Sequence, residues 1–148
     1  MTLCHFFKKV AHQSPEYWRS IELRHDLLRK PLGLEFTKEE LKAEQTDDHF
    51  AVFNQEQLIG CLVISPIDEQ QVKIRQMAIL ESHQKQGVGK QLLHFAEDQI
   101  FIRGFTTIYL HAREEAVPFY QKQGYQVEGE PFRQVTIPHW KMIKNLKS

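Results

Sequence analysis

The chain has 148 residues, 41% hydrophobic and 26% charged, which suggests one globular domain spanning residues 1–148. Nineteen basic residues balance nineteen acidic ones, so the zero net charge argues against nucleic acid or anionic lipid as the main partner. The chain has neither an apolar run of the roughly 18 residues that a membrane helix needs nor a secretory pattern at its start, and its two distant cysteines, Cys4 and Cys61, fit free thiols in the cytoplasm.

The first half of the chain is predicted to alternate strands with helices. A first strand covers residues 2–8, and Ser14-Pro15-Glu16 then has the cap, proline and acidic residue of a helix start. This helix is predicted to continue to about Lys30, with one apolar stripe formed by Tyr17, Trp18, Ile21, His25 and Leu28. Thr37 and Glu40 form a capping-box pattern for a short second helix ending near Glu44.

A three-stranded meander is predicted next, over residues 50–53, 58–65 and 72–79. A long helix then opens at Gly87 and ends before Gly104, and residues 106–112 form a strand. Strand, helix and strand at this spacing require a right-handed parallel crossover. We expect the ends of its two strands, Ile79 and Ala112, to border a ligand crevice.

A shorter helix over residues 115–123 and two strands over 125–128 and 134–143 are predicted to complete the chain. Pro138 interrupts the last strand and therefore belongs near an edge or a bulge. The predicted fold class is α+β, a single domain with a mixed, mostly antiparallel sheet, one parallel βαβ crossover and helices on both faces.

The most informative segment is the turn between the third meander strand and the long helix. It reads Gln84, Lys85, Gln86, Gly87, Val88, Gly89, Lys90. Unpaired backbone N–H groups and the helix dipole at such a start attract anions, and a glycine lets a phosphate approach the backbone closely. A plain glycine turn into a core helix is the alternative, since short glycine motifs often occur by chance.

Two other phosphate-binding motifs do not match the residues of this turn. A Walker loop needs Gly at position 84 and Ser or Thr at position 91, where this chain has Gln84 and Gln91. A Rossmann fingerprint needs Gly or Ala at position 92, where this chain has Leu92.

The turn resembles the pyrophosphate loop of the GNAT N-acetyltransferase superfamily, Arg/Gln-x-x-Gly-x-Gly/Ala, here carried by Gln84, Gly87 and Gly89. The resemblance extends to the preceding strand, residues 75–79, and to a second family signature that runs from Ala116 through Phe119-Tyr120 to Gly124-Tyr125. It covers roughly residues 20–143. The end of the chain is similar to a bacterial branch whose substrates are mostly unassigned.

The resemblance implies direct acetyl transfer from acetyl-CoA to an amine, and it assigns roles by position. Backbone of Met77, Ala78 and Ile79 would pair with the pantetheine arm, and residues 84–90 would hold the diphosphate, with Phe119 beside them. Tyr120 matches the general acid that protonates the leaving thiolate. Arg113 stands where many members have Asn, and it is either a ligand of a CoA phosphate or a solvated side chain.

The acceptor amine must lose a proton before it attacks, because a lysine-like ammonium has a pKa near ~10.4. Candidates for the base are Glu81, His111 and His139, and for a lone histidine a packing role is the common alternative. Arg24 and Arg29 on the first helix are candidates for binding an acidic group of the acceptor, or are solvated members of ion pairs. The histidine spacing indicates no metal site.

The predicted function is therefore N-acetylation of a primary amine on a small molecule or peptide. A non-catalytic acyl-CoA sensor is the alternative, although it would not need Tyr120. We expect acetyl-CoA and an amine as partners, no nucleic acid or membrane, and a homodimer as one arrangement common in the family. Fold does not choose the acceptor.

Overall fold

The protein is described by a computed structural model over residues 5–146. The strands are β1 His5–Val10, β2 Asp48–Asn54, β3 Gln57–Pro66, β4 Gln71–Ile79, β5 Thr107–Arg113, β6 Gln126–Val127, β7 Phe132–Gln134 and β8 Ile137–Asn145. The α-helices are α1 Pro15–Arg24, α2 Lys38–Ala43, α3 Val88–Ile102 and α4 Val117–Lys122. No helix in this part of the chain is long and apolar enough to span a membrane.

All eight strands belong to one sheet in the order β1-β2-β3-β4-β5-β8-β6, with β7 also paired to β8. The β4–β5 pair is parallel and is connected through α3, while the other pairs are antiparallel. The predicted fold class and its single βαβ crossover are confirmed.

Helices cover both faces of the sheet, because the strands alternate apolar side chains between two buried clusters. Below α3, the larger cluster includes Phe50, Val52, Leu62, Ile64, Ile74, Leu92, Leu110 and Met142. Below α1, the smaller cluster includes Tyr17, Leu23, Ala51, Phe53, Cys61 and Ala78. Burial raises the pKa of the free Cys61 thiol to about 12. The thiol is therefore unreactive, and its role is to pack in the core. Cys4 lies outside the described residues.

The helix starts follow the predicted capping chemistry. The Ser14 hydroxyl accepts a hydrogen bond from the Tyr17 N–H at 3.1 Å. Both hydrogen bonds of the Thr37–Glu40 capping box are present at 3.1 Å. Gly87 precedes α3 with a φ of 81°, a left-handed conformation that a glycine adopts without strain.

The first helix differs from its prediction. Its regular part ends at Arg24, and a π-helical segment His25–Arg29 and a 3₁₀ turn Lys30–Leu32 follow. Within the regular part, the buried side of α1 carries Tyr17, Leu23 and Arg24, so Arg24 is fully buried while Trp18 is 48% exposed. The predicted stripe was therefore wrong at Trp18.

The end of the chain also differs. The predicted strand over residues 134–143 is a hairpin, with β7 and β8 joined at Val135 and Thr136, whose φ values are 44° and 70°. Pro138 pairs with β7 only, beyond the end of β5, which agrees with the predicted edge position.

Candidate active site

A cavity of about 360 Å³ lies where β4 and β5 separate. The two strands pair only from Gln71 with Thr107 to Ile74 with Leu110, and beyond this point they are no longer paired with each other. Cavities at such strand ends are the usual ligand sites of α/β sheets. Ile79 and Ala112 both line the cavity, as predicted from the crossover.

A bulge in β4 opens this crevice. Register with β3 shifts between the pairs Cys61–Ala78 and Val63–Arg75, and Gln76 adopts a φ of 54°. The segment from Met77 to Ile79 keeps β3 on one edge and leaves its other edge facing the cavity. This free edge is backbone that can hydrogen-bond an extended ligand.

The turn before α3 leaves its backbone accessible. Residues 84–87 are exposed, Lys85 and Gly87 have positive φ, and the side chain of Gln84 donates to the Ile79 carbonyl at 2.9 Å. A Cβ added at Gly89 would lie 3.4 Å from Met77 Cε and 3.5 Å from Phe119 Cζ, so the helix start lies against the end of β4. Val88 is buried in the core, whereas Lys85, Gln86 and Lys90 are exposed.

Tyr120 approaches the free edge of β4 from α4. Its hydroxyl donates to Met77 Sδ at 3.4 Å, and its ring packs edge-on against Phe119 and Tyr125. Burial raises the pKa of Tyr120 to about 12, so the hydroxyl keeps its proton at neutral pH. A protonated hydroxyl without a strong acceptor can serve as an acid.

Two histidines line the other side of the cavity. His111 Nδ1 lies 2.9 Å from Gln134 Oε1, and His139 Nδ1 lies 3.0 Å from the Ile137 carbonyl. Because the Ile137 carbonyl can only accept, Nδ1 of neutral His139 carries the hydrogen and its Nε2 carries a lone pair, and the Gln134 oxygen that faces His111 Nδ1 favours the same tautomer there. Burial lowers the pKa of His111, opposed by the Gln134 contact, so its neutral form is favoured.

The structure corrects the placement of the remaining candidates. Arg24 is fully buried and bound to Glu44, because the helix turns it inward, so it is not available to an acceptor. Glu81 lies exposed on a 3₁₀ turn outside the cavity lining. Arg29 lines the cavity, but its guanidinium pairs with Glu40 at 2.8 Å. Arg113 donates to the Leu28 carbonyl at 2.7 Å and so joins β5 to the first helical segment.

Several polar groups of the cavity were not predicted from the sequence, and Lys73 and Gln134 are two of them. Lys73 lies on β4, and the alternation of Val72 and Ile74 into the core was the available signal that it faces the other side. Gln134 belongs to β7 and contacts His111 across a hairpin that the sequence did not reveal. Within residues 5–146, no three His, Cys, Asp or Glu side chains are placed to hold a metal ion.

The chain is similar to a known protein family and to individual bacterial proteins. The model of the Acetyltransferase (GNAT) family matches residues 11–125. YyaT of Bacillus subtilis is 32% identical over 98 residues, which are 66% of each chain. YjcF of the same organism, described as an uncharacterized N-acetyltransferase, is 29% identical over 92% of this chain and 97% of its own.

Solved structures share the fold. A putative N-acetyltransferase from Lactobacillus plantarum superposes with a TM-score of 0.83 at 24% identity, over 95% of this chain and 99% of that one. A GNAT family acetyltransferase from Elizabethkingia anophelis, solved with acetyl-CoA bound, superposes with a TM-score of 0.75 at 19% identity, over 96% and 98%.

Proposed function

The chain belongs to the GNAT acetyltransferase family, and from this we propose that it moves the acetyl group of acetyl-CoA directly to a primary amine of a small molecule or peptide. Acetyl-CoA is the co-substrate, and when bound it supplies the thioester. One observation carries the proposal: the unpaired edge of β4 faces, within one cavity, a protonated tyrosine hydroxyl and two histidine nitrogens that can accept a proton.

The residues of the cavity and of the adjoining turn fit acetyl-CoA. Backbone of Met77 to Ile79 is not paired with β5 on the side where an extended pantetheine arm would add like a strand, and of this backbone the Ile79 carbonyl accepts from the Gln84 side chain. The exposed turn of Lys85 to Gly87, at the start of α3, suits a diphosphate, whereas the Gln84 N–H already donates to the Glu81 carbonyl at 3.2 Å. A backbone N–H of β4 would stabilise the charge that develops on the acetyl oxygen, an effect often worth ~2.7–4 kcal/mol.

The two proton transfers take place on opposite sides of the cavity, one at the histidines and one at Tyr120. The lone pair of His111 Nε2 or His139 Nε2 takes a proton from the acceptor ammonium. As the nitrogen–carbon bond forms and the carbon–sulfur bond breaks, Tyr120 donates its proton to the leaving sulfur, and the second proton that the nitrogen loses returns to the tyrosine oxygen. These groups come from β4, β5, β8 and α4, and the folded sheet brings them together.

The test is release of thiol from acetyl-CoA by the pure protein with a panel of primary amines. We expect release to depend on the amine and to yield the acetylated amine by mass spectrometry. Tight binding of acetyl-CoA with no amine-dependent release across the panel would instead support the sensor module.

A further inference from the structure

The acceptor side of the cavity is positively charged, although the chain as a whole is neutral. The charged residues of its lining are four cations and one anion: Arg29, Lys73, Arg75, Arg113 and Glu115. Two of the cations already face carboxylates, since Arg29 pairs with Glu40 at 2.8 Å and Arg75 approaches Asp47 at 3.8 Å. The positive charge of the cavity that no described carboxylate faces is therefore that of Lys73 and Arg113.

Lys73 is a cation without a counter-charge. It is half-buried, and no described carboxylate lies within 4 Å of its ammonium. Burial lowers the pKa of Lys73, and the charges of Arg75 and Lys141 lower it further. Holding an ammonium partly out of water beside like charges costs free energy, and an anion in the cavity would recover it.

Arg113 is also free to bind an anion. One Nη2 hydrogen goes to the Leu28 carbonyl, and a guanidinium has five N–H donors. Glu115 contributes charge nearby, but no described carboxylate is within ion-pair distance of Arg113. Arginine binds carboxylates and phosphates well because two of its donors fit two oxygens.

These cations lie on the opposite side of the sheet from the proposed diphosphate site. Ile74, Leu110 and Ala112 pack below α3, so strand alternation turns Lys73 and Arg113 to the other face. The turn that would hold the CoA phosphates begins α3 itself. The positive charge of the cavity is therefore available to the acceptor rather than to the cofactor.

Building on the proposed function, we infer that the acceptor is a small amine that also carries an anionic group, a carboxylate or a phosphate. The anion binds Lys73 and Arg113, and this places the amine beside His111 and His139, which line the same cavity. The anion is not consumed: the amine nitrogen bonds to the acetyl carbon, the carbon–sulfur bond breaks, and the thiol leaves with a proton. A cavity of about 360 Å³ suits a small molecule.

The experiment compares amines in matched pairs. One pair is β-alanine and β-alaninamide, and the other is phosphoethanolamine and ethanolamine, with rates corrected for the unprotonated fraction of each amine. We expect kcat/KM to be at least about tenfold higher for an anionic member, the gain typical of one charge-assisted hydrogen bond. The pair with the larger ratio identifies the anion as a carboxylate or a phosphate.

The Lys73→Met variant should reduce this ratio about tenfold, since it keeps the side-chain length and removes the charge. Lys9→Met is the matched control, because Lys9 also lies on a strand but outside the cavity lining and pairs with Asp48 at 3.1 Å. This control should retain the ratio. If Lys73→Met does not fold, Lys73→Gln replaces it.

The outcomes separate the two proposals. Turnover of neutral and anionic amines with equal kcat/KM, or a ratio unchanged in Lys73→Met, would overturn the inference and leave the proposed function standing. If no amine is acetylated, the proposed function fails, and calorimetry of the same pairs with the CoA-saturated protein decides the inference. Tighter binding of the anionic member that is lost in Lys73→Met supports it, and equal binding refutes it.

Discussion

At the scale of single residues, the environment of Tyr120 decides what its hydroxyl can do. The hydroxyl contacts only a weak acceptor, Met77 Sδ, and burial holds its pKa at about 12. By contrast, Tyr125 donates to Glu97 at 2.8 Å, a bond that commits its hydroxyl to the core. Two tyrosines five residues apart therefore have different roles, one available at the cavity and one structural.

Replacing Tyr120 by Phe should lower kcat for acetyl transfer by roughly tenfold to a hundredfold. This is the lower end of general-acid effects, because a thiol with a pKa near ~8.5 leaves tolerably well without a proton. The KM for acetyl-CoA should change little, since the ring remains. Steady-state thiol release at pH 6–10 measures this, and in the wild type the tyrosine should stay protonated throughout that range.

Tyr109→Phe is the matched control for this substitution. Tyr109 lies on β5 outside the cavity lining, with Lys141 over its ring. We expect Tyr109→Phe to keep the wild-type kcat. This result would show that the loss in Tyr120→Phe comes from the hydroxyl at the cavity. Equal rates for Tyr120→Phe and wild type at every pH would remove the acid role from Tyr120.

At the scale of elements, a buried ion pair fixes α1 to the segment after α2. Arg24 donates to both carboxylate oxygens of Glu44, and the Tyr17 hydroxyl donates to the same carboxylate at 2.9 Å. The side chains of the pair are 1% and 3% exposed. Burial alone would raise the pKa of Glu44, but Arg24 outweighs it, and the pKa lies below its ordinary value.

Glu44→Gln should lower the free energy of unfolding by about 3 kcal/mol at pH 7, because it leaves Arg24 buried without its counter-charge. The folded pKa of Glu44 is depressed, so its stabilisation is complete above the unfolded value near ~4.3 and is lost as pH falls through the folded pKa. Urea unfolding from pH 7 to pH 3 should show the difference between variant and wild type shrinking.

Glu40→Gln is the control, since Glu40 pairs with Arg29 but its side chain is 37% exposed. A partly solvated pair of this kind is worth at most ~1 kcal/mol. A loss in Glu44→Gln that is equal at pH 7 and pH 3 would contradict the ionic origin of the stability.

Some helices and strands were predicted correctly from the sequence, and others were not. Ser14 and Thr37 mark helix starts through hydrogen bonds within a few residues, and Gly87 does so through its left-handed conformation, so the sequence alone predicted them. Two features of the fold were not predicted from the sequence. The π segment after Arg24 has no local sequence signal, and the burial of Arg24 before it depends on Glu44, twenty residues away. The β7–β8 hairpin turns at Val135-Thr136, β-branched residues that seldom adopt positive φ.

At the scale of the whole molecule, the site depends on contacts between distant segments. The motif near Gly87 and the signature around Tyr120 are local, and both were found from sequence. The acceptor side was predicted only in part: His111, His139 and Arg29 were candidates and line the cavity, but Lys73 and Gln134 were not predicted. Contacts such as Arg113 to Leu28, 85 residues away, and His111 to Gln134 across β8 depend on the tertiary fold.

The cofactor side predicts how the whole domain responds to acetyl-CoA. A ligand that binds only the folded state at a hundred times its Kd adds about 2.7 kcal/mol of stability. For a domain of this size that is a rise in Tm of roughly 5–10 °C, measured by calorimetry. An unchanged Tm at saturating acetyl-CoA would show that the turn and the free edge of β4 do not form its site.

The variant Gly89→Val should lose most of this shift relative to its own ligand-free Tm, because its side chain would fill the space between Met77 and Phe119 at the helix start. Asp98→Val places the same β-branched residue at an exposed position of α3, so it controls for helix propensity and should keep the full shift. A full shift in Gly89→Val would mean that the acetyl-CoA does not pass close to the start of α3. In that case the crevice between β4 and β5 would have to bind it without the help of the helix dipole.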